Sequence, residues 1–204
     1  MTTEPTVVPN HHAHYPHFAG LSGYLAALSM IGGRSGSAEL VARLSGLQPN
    51  DVVVDVGCGP GAAARYAAET GATVTGVDPA TAMLRIARLL TKRGSVRYLE
   101  GTAERIPLPD ASASVVWTIA SVHHWSDLDS GLREVRRILR AGGRFVAIEN
   151  HTQPEASGLA SHGWTDRQAR RFAEVCLHHG LSEPAVATHA GGRRPSISVV
   201  AIAS

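Results

Sequence analysis

VVVDVGCGPGAA, residues 52–63, decides the fold. Its apolar run, 52–56, has the continuous hydrophobicity of a strand covered on both faces rather than the alternation of a half-exposed one. Gly57, Gly59 and Gly61 follow at alternating positions, and the alanine-rich segment 61–70 then reads as a helix that Gly71 ends. A strand, a glycine turn and a helix in immediate succession form the opening unit of an α/β sheet. Glycine admits positive φ and lets backbone N–H groups approach a ligand, while the N-terminus of the next helix adds partial positive charge.

Working outward, apolar strands alternate with helical spacing. A second strand is expected at 73–77, and a helix at 80–92 carries Met83, Leu84, Ile86, Ala87 and Leu90 on one face. A short strand follows at 96–99 and another at 115–119. Asp127 or Asp129 caps a helix reaching 139, with Leu132, Val135, Ile138 and Leu139 as its buried stripe. Ala141-Gly142-Gly143 stops it before a strand at 144–149. The next helix, 165–179, is opened by Thr165 or Asp166 and closed by Gly180. Two late strands, 185–189 and 196–203, are separated by Gly191-Gly192 and Pro195 and read as an antiparallel edge hairpin. The expected fold is α/β: a mostly parallel, seven-stranded sheet with helices on both faces. Residues 1–50 form an N-terminal tail and helical cap, including a helix at 38–44, and residues 51–204 form one globular unit. In such sheets ligands lie at the carboxyl ends of the strands, where the first strand runs into the glycine turn.

Composition narrows the function classes. The net charge is +2, and Lys92 is the sole lysine, so the basic excess is arginine spread along the chain, with no nucleic-acid groove expected. Cys58 and Cys176 make no CxxC pair and no zinc spacing, which fits a reduced, cytoplasmic setting. The first residues lack a secretory pattern, and the apolar stretch from Phe18 to Ile31 is too short and glycine-broken to span a bilayer. His11, His12, His14 and His17 invite a metal reading, but their spacing is not that of a helical i, i+4 pair and Pro16 interrupts any helix. No metal is expected there; a lid bringing Tyr15 or Tyr24 over a bound ligand, or a plain polar tail, fits the segment.

Two ligand patterns compete for the glycine turn. A dinucleotide fingerprint is GxGxxG with an acidic residue about 20 positions on; here the third glycine comes one place early, though Asp78 stands at a suitable distance for ribose hydroxyls. Asp55 separates the two. A carboxylate just ahead of the loop repels a pyrophosphate and attracts an ammonium group, while the loop N–H groups attract a carboxylate. A ligand with an amino-acid tail and an adenosine ribose satisfies both ends, and S-adenosyl-L-methionine is such a ligand. Asp78 has a second reading as the cap of the following helix.

The segments VVVDVGCGPG, VTGVDPATAML, YLEGTAERIPLPD, VVWTIASVHHWSD and LREVRRILRAGGRFVAIE, in that order over 51–149, resemble the successive motifs of class I S-adenosylmethionine-dependent methyltransferases. The likeness is to the type 11 small-molecule subfamily, which includes quinone C-methyltransferase-like enzymes. It implies a Rossmann-like sheet, S-adenosylmethionine as cofactor and S-adenosyl-L-homocysteine as product. It further implies that Asp55, Gly57, Cys58 and Gly59 surround the methionine tail, that Asp78 takes the ribose hydroxyls, and that Pro79 and Met83 line the adenine. Thr102-Ala103-Glu104 stands where the family usually has Asp-Ala-Glu beside the adenine amino group, and Ala120 and Ser121 pass under the sulfonium.

Methyl transfer from a sulfonium asks a protein to align donor and nucleophile, exclude water and, for some acceptors, remove a proton. His124, then His123, are the candidate bases or acceptor-orienting groups because imidazole titrates near neutrality, with a packing role for His-His-Trp as the other reading. The acceptor is expected to be a small molecule, held between the N-terminal cap, this loop and the link after residue 149, where Glu149 and His151 face it. The Asn/Asp-Pro-Pro-aromatic sequence of base-nitrogen methylases is absent after strand 4, where Ala-Ser-Val-His stands instead. The competing functions are an NAD(P)-dependent oxidoreductase, disfavoured by Asp55 and by the lack of a Tyr-x-x-x-Lys pair, and a non-catalytic S-adenosylmethionine-binding partner subunit.

Overall fold

The computed structural model describes residues 35–92, 95–154, 162–190 and 195–204. The histidine-rich segment, Tyr15 and Tyr24 lie outside the described residues. The chain runs α1 (Ser35–Ser45), β1 (Val52–Val56), α2 (Ala62–Glu69), β2 (Thr73–Asp78), α3 (Thr81–Leu90), β3 (Val96–Glu100), β4 (Ala113–Ile119), a 3-10 turn (Val122–His124), α4 (Leu128–Ile138), β5 (Leu139–Asn150), α5 (Asp166–His178), β6 (Leu181–His189) and β7 (Ser196–Ala203). These form one seven-stranded sheet in the order β3-β2-β1-β4-β5-β7-β6. The first five strands are mutually parallel, and β7 is antiparallel to both its neighbours, as the edge hairpin required.

The chain moves outward from β1 to β3, then crosses back to lay β4 on the other side of β1. That reversal opens the crevice between the carboxyl ends of β1 and β4, where the glycine turn lies. Alternate residues of the central strands enter opposite cores. Val53, Val115, Trp117, Val146 and Ile148 pack with Val41 of α1, Ala64 and Ala67 of α2, and Leu84 of α3. On the other face Val54, Val56, Val116, Phe145 and Ala147 meet Leu132, Val135 and Ile138 of α4 and Ala169, Phe172 and Cys176 of α5. Both faces are therefore covered, which explains why successive valines, Val53 and Val54, are both buried in β1.

The helix caps follow local chemistry. Asp127 accepts hydrogen bonds from the N–H groups of Asp129 and Ser130 at the start of α4. Thr165 and Gln168 form a reciprocal capping box on α5. β2, β3 and β4 exceed their expected limits by one or two residues, and β5 and β6 begin well before theirs. β5 begins at Leu139, because Leu139 pairs with Ala113 before a bulge restores register at Val115–Arg144, so the Ala-Gly-Gly segment joins the strand. β6 begins at Leu181, paired with Ala203, again across an irregularity.

At the sheet's opposite end, Asp51 gathers α1, β1, β4 and β5. It accepts hydrogen bonds from Ser114 Oγ at 2.7 Å, from Gln48 N–H at 2.8 Å and from Arg144, whose guanidinium also donates to the carbonyls of Ser45 and Gly46. Burial pushes the Asp51 pKa up, but the Ser114 hydroxyl, the Gln48 N–H and Arg144 outweigh it and hold the carboxyl below its ordinary value. A depressed folded-state pKa contributes stability that is present above the unfolded value and lost as pH falls through the folded one. Arg144→Met is therefore expected to lower stability at neutral pH by at least about 1 kcal/mol. The gap between the two proteins should narrow as pH drops through and below the carboxylate range in thermal melts; a gap independent of pH would contradict the role given to Asp51.

Candidate active site

The turn after β1 is held by its own backbone and by one carboxylate. Gly57 and Cys58 donate to Val77 O at 2.8 and 3.1 Å, and Gly61 donates to Cys58 O at 2.9 Å. Asp78, at the end of β2 and 7% exposed, accepts from Gly59 N–H through Oδ2 and from Ala80 N–H through Oδ1, both at 2.8 Å. It thus joins the glycine turn to Ala80, which is itself the N-cap of α3; α3 has no side-chain cap, so the reading of Asp78 as that cap is not met.

Close packing explains why side chains are missing here. A Cβ on Gly57, which sits at φ 71°, would overlap Ser121 Oγ and stand 2.6 Å from Ser121 Cβ. One on Gly61, at φ 75°, would overlap the hydroxyl of Tyr98, a residue of β3 that the sequence did not single out. Tyr98 also bonds to Thr91 Oγ1 at 2.9 Å, and burial raises its pKa despite that bond.

A cleft is lined by Asp55, Gly57, Cys58, Pro60, Ala62, Ala63 and Ile119. It brings a buried carboxylate, Asp55, to the N-terminus of α2, whose cap residue Gly61 supplies no side-chain hydrogen bond. Negative and partial positive charge thus share one wall. The Cys58 thiol is buried, and that burial, with the charges of Asp55 and Asp78, pushes its pKa well up. A thiol so held lines the site and is no nucleophile.

The remaining candidates are spread along the strand ends. Pro79 is exposed and Met83 buried, the latter on α3. Thr102 is exposed and Ala103 buried in the turn after β3. Glu104 reaches across to the turn after β4, where its Oε1 accepts from Ser126 N–H at 2.6 Å, Ser126 Oγ at 2.9 Å and Asp127 N–H at 3.2 Å. Burial pushes the Glu104 pKa up, but backbone N–H groups and the Ser126 and Thr102 hydroxyls hold it below its ordinary value. Its carboxylate therefore fastens two loops together, a function hidden in the sequence by the separation of the partners.

Ala120, just beyond β4, takes a left-handed φ of 49° while its N–H donates to Ile148 O at 2.7 Å, and this kink delivers Ser121 against Gly57. In the following turn His123 is buried and His124 exposed, with ring centroids 4.1 Å apart. His123 Nδ1 lies 2.8 Å from Glu149 Oε2, and Val122 N–H donates to Glu149 Oε1 at 2.9 Å. Glu149 is thus turned into this buried pair. His151 lies 3.4 Å from Asp166.

Residues 54–147 match the family described as a methyltransferase domain. The malonyl-[acyl-carrier protein] O-methyltransferase of Pseudescherichia vulneris is 33% identical over 124 residues, 60% of this chain and 48% of that protein. The demethylmenaquinone methyltransferase of Tropheryma whipplei is 36% identical over 107 residues, 52% of this chain and 45% of that protein. The chain therefore spans about half the length of the curated relatives it matches. In fold, it superposes on a SAM-dependent methyltransferase from Aquifex aeolicus with TM-score 0.72 at 18% identity, over 89% of this chain and 98% of that one. Residues 54–147 thus carry a methyltransferase domain, on a sheet with the fold of an S-adenosylmethionine-dependent methyltransferase. Among the described residues no helix is long and apolar enough to cross a membrane.

Gly57→Ala is expected to destabilise the protein by at least about 1 kcal/mol, from the left-handed φ and the overlap with Ser121. Gly36→Ala, in the exposed first turn of α1 with nothing within 4 Å, is expected to stabilise it by about 0.5–1 kcal/mol. Thermal melts of the two variants test this, and equal effects would mean that Gly57 is not packed as described.

Proposed function

We propose that the chain transfers a methyl group from S-adenosylmethionine to a small-molecule acceptor. The observation that carries this reading is the pairing, in one cleft wall, of the Asp55 carboxylate with the uncapped N-terminus of α2. An amino-acid tail needs both, an anion for its ammonium group and N–H donors for its carboxylate, whereas a pyrophosphate is repelled by the first. Bound there, S-adenosylmethionine supplies an electrophilic methyl group on a sulfonium, and S-adenosylhomocysteine remains as product.

In this reading Asp55 and the N–H groups around Gly57 and Gly59 hold the tail, with Cys58 filling the wall beneath it. Asp78 keeps the turn in place through Gly59 and takes the ribose hydroxyls. Pro79 and Met83 flank the adenine, and Ala103 in the turn after β3 meets its amino edge. Thr102 and Glu104 flank Ala103 at that edge, with Glu104 Oε1 tying the turn to Ser126. Ala120 and Ser121 lie beneath the reacting centre, and His123 and His124 stand on the acceptor side. The relatives' names support an acceptor that is small or presented on a carrier: one names a malonyl-[acyl-carrier protein], the other demethylmenaquinone.

Calorimetric titration with S-adenosylhomocysteine, with NADH and NADPH alongside, tests the donor. Micromolar binding is expected, weakened at least about tenfold, or about 1.4 kcal/mol, by Asp55→Asn and by Asp78→Asn. Incubation with methyl-tritiated S-adenosylmethionine and a metabolite extract then tests the acceptor, with label expected in small molecules. Binding of a nicotinamide cofactor instead, or label confined to protein or RNA, would overturn the proposal.

A further inference from the structure

Tyr98 is buried in the middle of β3, yet its hydroxyl reaches the glycine turn after β1. Register places Tyr98 beside Gly76 of β2, and Gly76 beside Asp55 of β1. Tyr98 packs in the same core as Val53, and Asp55, two residues on from Val53, points to that face of the sheet. Gly76 leaves the row open between them. A Cβ there would stand 2.8 Å from two ring carbons of Tyr98, so the ring crosses β2 over bare backbone. Beyond it, a Cβ on Gly61 would overlap Tyr98 Oη and stand 2.9 Å from Cζ. Gly61 is the N-cap of α2 and lies between Pro60 and Ala62, both of which line the cleft.

The hydroxyl is tethered from behind. Thr91, the C-cap of α3, has its Oγ1 2.9 Å from Tyr98 Oη and donates to Ala87 O at 2.5 Å. A threonine hydroxyl carries one hydrogen, so Tyr98 donates the bond to Thr91. The oxygen so held is the atom that meets Gly61. Gly61 in turn starts α2: its N–H donates to Cys58 O at 2.9 Å, and its carbonyl accepts from Arg65 N–H at 3.0 Å.

We infer that Tyr98 is a positioning residue for the amino-acid tail of S-adenosylmethionine, its tethered hydroxyl acting as a stop against Gly61 that sets where α2 begins relative to Asp55. This rests on the methyl-transfer reading given above. The tail needs the Asp55 carboxylate and the first N–H groups of α2 at one fixed separation, and the Tyr98 ring spans the row from β3 to that helix start. A phenyl ring would cover Gly76 equally well and leave Gly61 without its stop. Asp78, Pro79, Met83 and Ala103, given above to the ribose and adenine, belong to other segments, so loss of the stop falls on the tail.

Tyr98→Phe removes the stop and keeps the ring. Calorimetric titration compares S-adenosylhomocysteine with 5′-methylthioadenosine, which has the same nucleoside and sulfur but no amino-acid tail. In Tyr98→Phe the first is expected to bind about three- to tenfold more weakly and the second unchanged. Thr91→Val removes the acceptor of the tether and is expected to weaken S-adenosylhomocysteine alone by about twofold or more, which keeps the test open should Tyr98→Phe fail to fold. A merely structural tyrosine would lower thermal stability without changing the ratio of the two affinities. Amide exchange, read by NMR without ligand, follows the stop itself. Gly61 N–H and Arg65 N–H are expected to exchange at least about threefold faster in Tyr98→Phe. Gly131 N–H, bonded to Asp127 O at 3.0 Å in α4, is expected to stay as in the wild type.

Equal weakening of both ligands, unchanged S-adenosylhomocysteine affinity in both variants, or unchanged exchange at Gly61 and Arg65 would overturn the inference. A wild type that binds no S-adenosylhomocysteine would overturn the methyl-transfer reading beneath it. That failure shows before any variant is made, and the exchange measurement does not depend on it, so the two are distinguishable.

Discussion

Asp78 is the constraint on which the site depends. One carboxylate accepts Gly59 N–H from the glycine turn and Ala80 N–H from the cap of α3, and it does so while nearly buried. Both donors belong to segments that cannot satisfy them otherwise, since neither lies inside a helix or a strand ladder, and a buried N–H without a partner costs about 1–3 kcal/mol. The β1–β2 ladder and the bonds of Gly57 and Cys58 to Val77 O fix the carboxyl ends of the two strands, and Asp78 adds the tie from Gly59 to Ala80 beside the N-terminus of α2.

Close backbone approach completes what Asp78 begins. The glycine turn is pressed from one side by Ser121, delivered by the left-handed Ala120, and from the other by Tyr98 across Gly61 and Gly76. Non-glycine residues in that conformation carry strain of roughly 1–3 kcal/mol and persist where the surroundings over-determine them. Here the N–H of Ala120 is tied to Ile148 of β5, and two residues further on Val122 is tied to Glu149 of the same strand. β5 is thus the rigid support for the whole acceptor-side turn. Its own two faces are anchored in opposite cores, through Phe145 and Ala147 on one side and Val146 and Ile148 on the other.

The polar attachments of the loops run across the fold rather than along it. Glu104 to Ser126, Glu149 to His123 and Asp51 to Arg144 each join parts of the chain far apart in sequence. Each shields a charge by giving it several donors, which is what makes burial of a carboxylate tolerable. Glu104 and Glu149 brace the ligand end, and Asp51 braces the far end, where α1 is fastened to the strands.

What could be read from the chain alone was whatever depends on near neighbours. The expected limits of β1 and β7 are the observed ones, and of the two caps expected for each of α4 and α5 the first, Asp127 and Thr165, is the one that forms. The spacing of Asp55, Gly57, Gly59 and Asp78 was sufficient to infer a ligand with an amino-acid tail and a ribose, because the relevant chemistry lies in one strand–turn–helix and the end of the next strand. What pairing across the fold decides was out of reach. Leu139 and Leu181 became strand residues because Ala113 and Ala203 lie beside them. Glu104 became a loop fastener and Glu149 the partner of a buried histidine because the tertiary structure brought them to groups more than twenty positions away. Hydrophobic periodicity and turn chemistry are local and survive in the sequence, whereas the partner of a buried charge is set only when distant strands and loops are packed together.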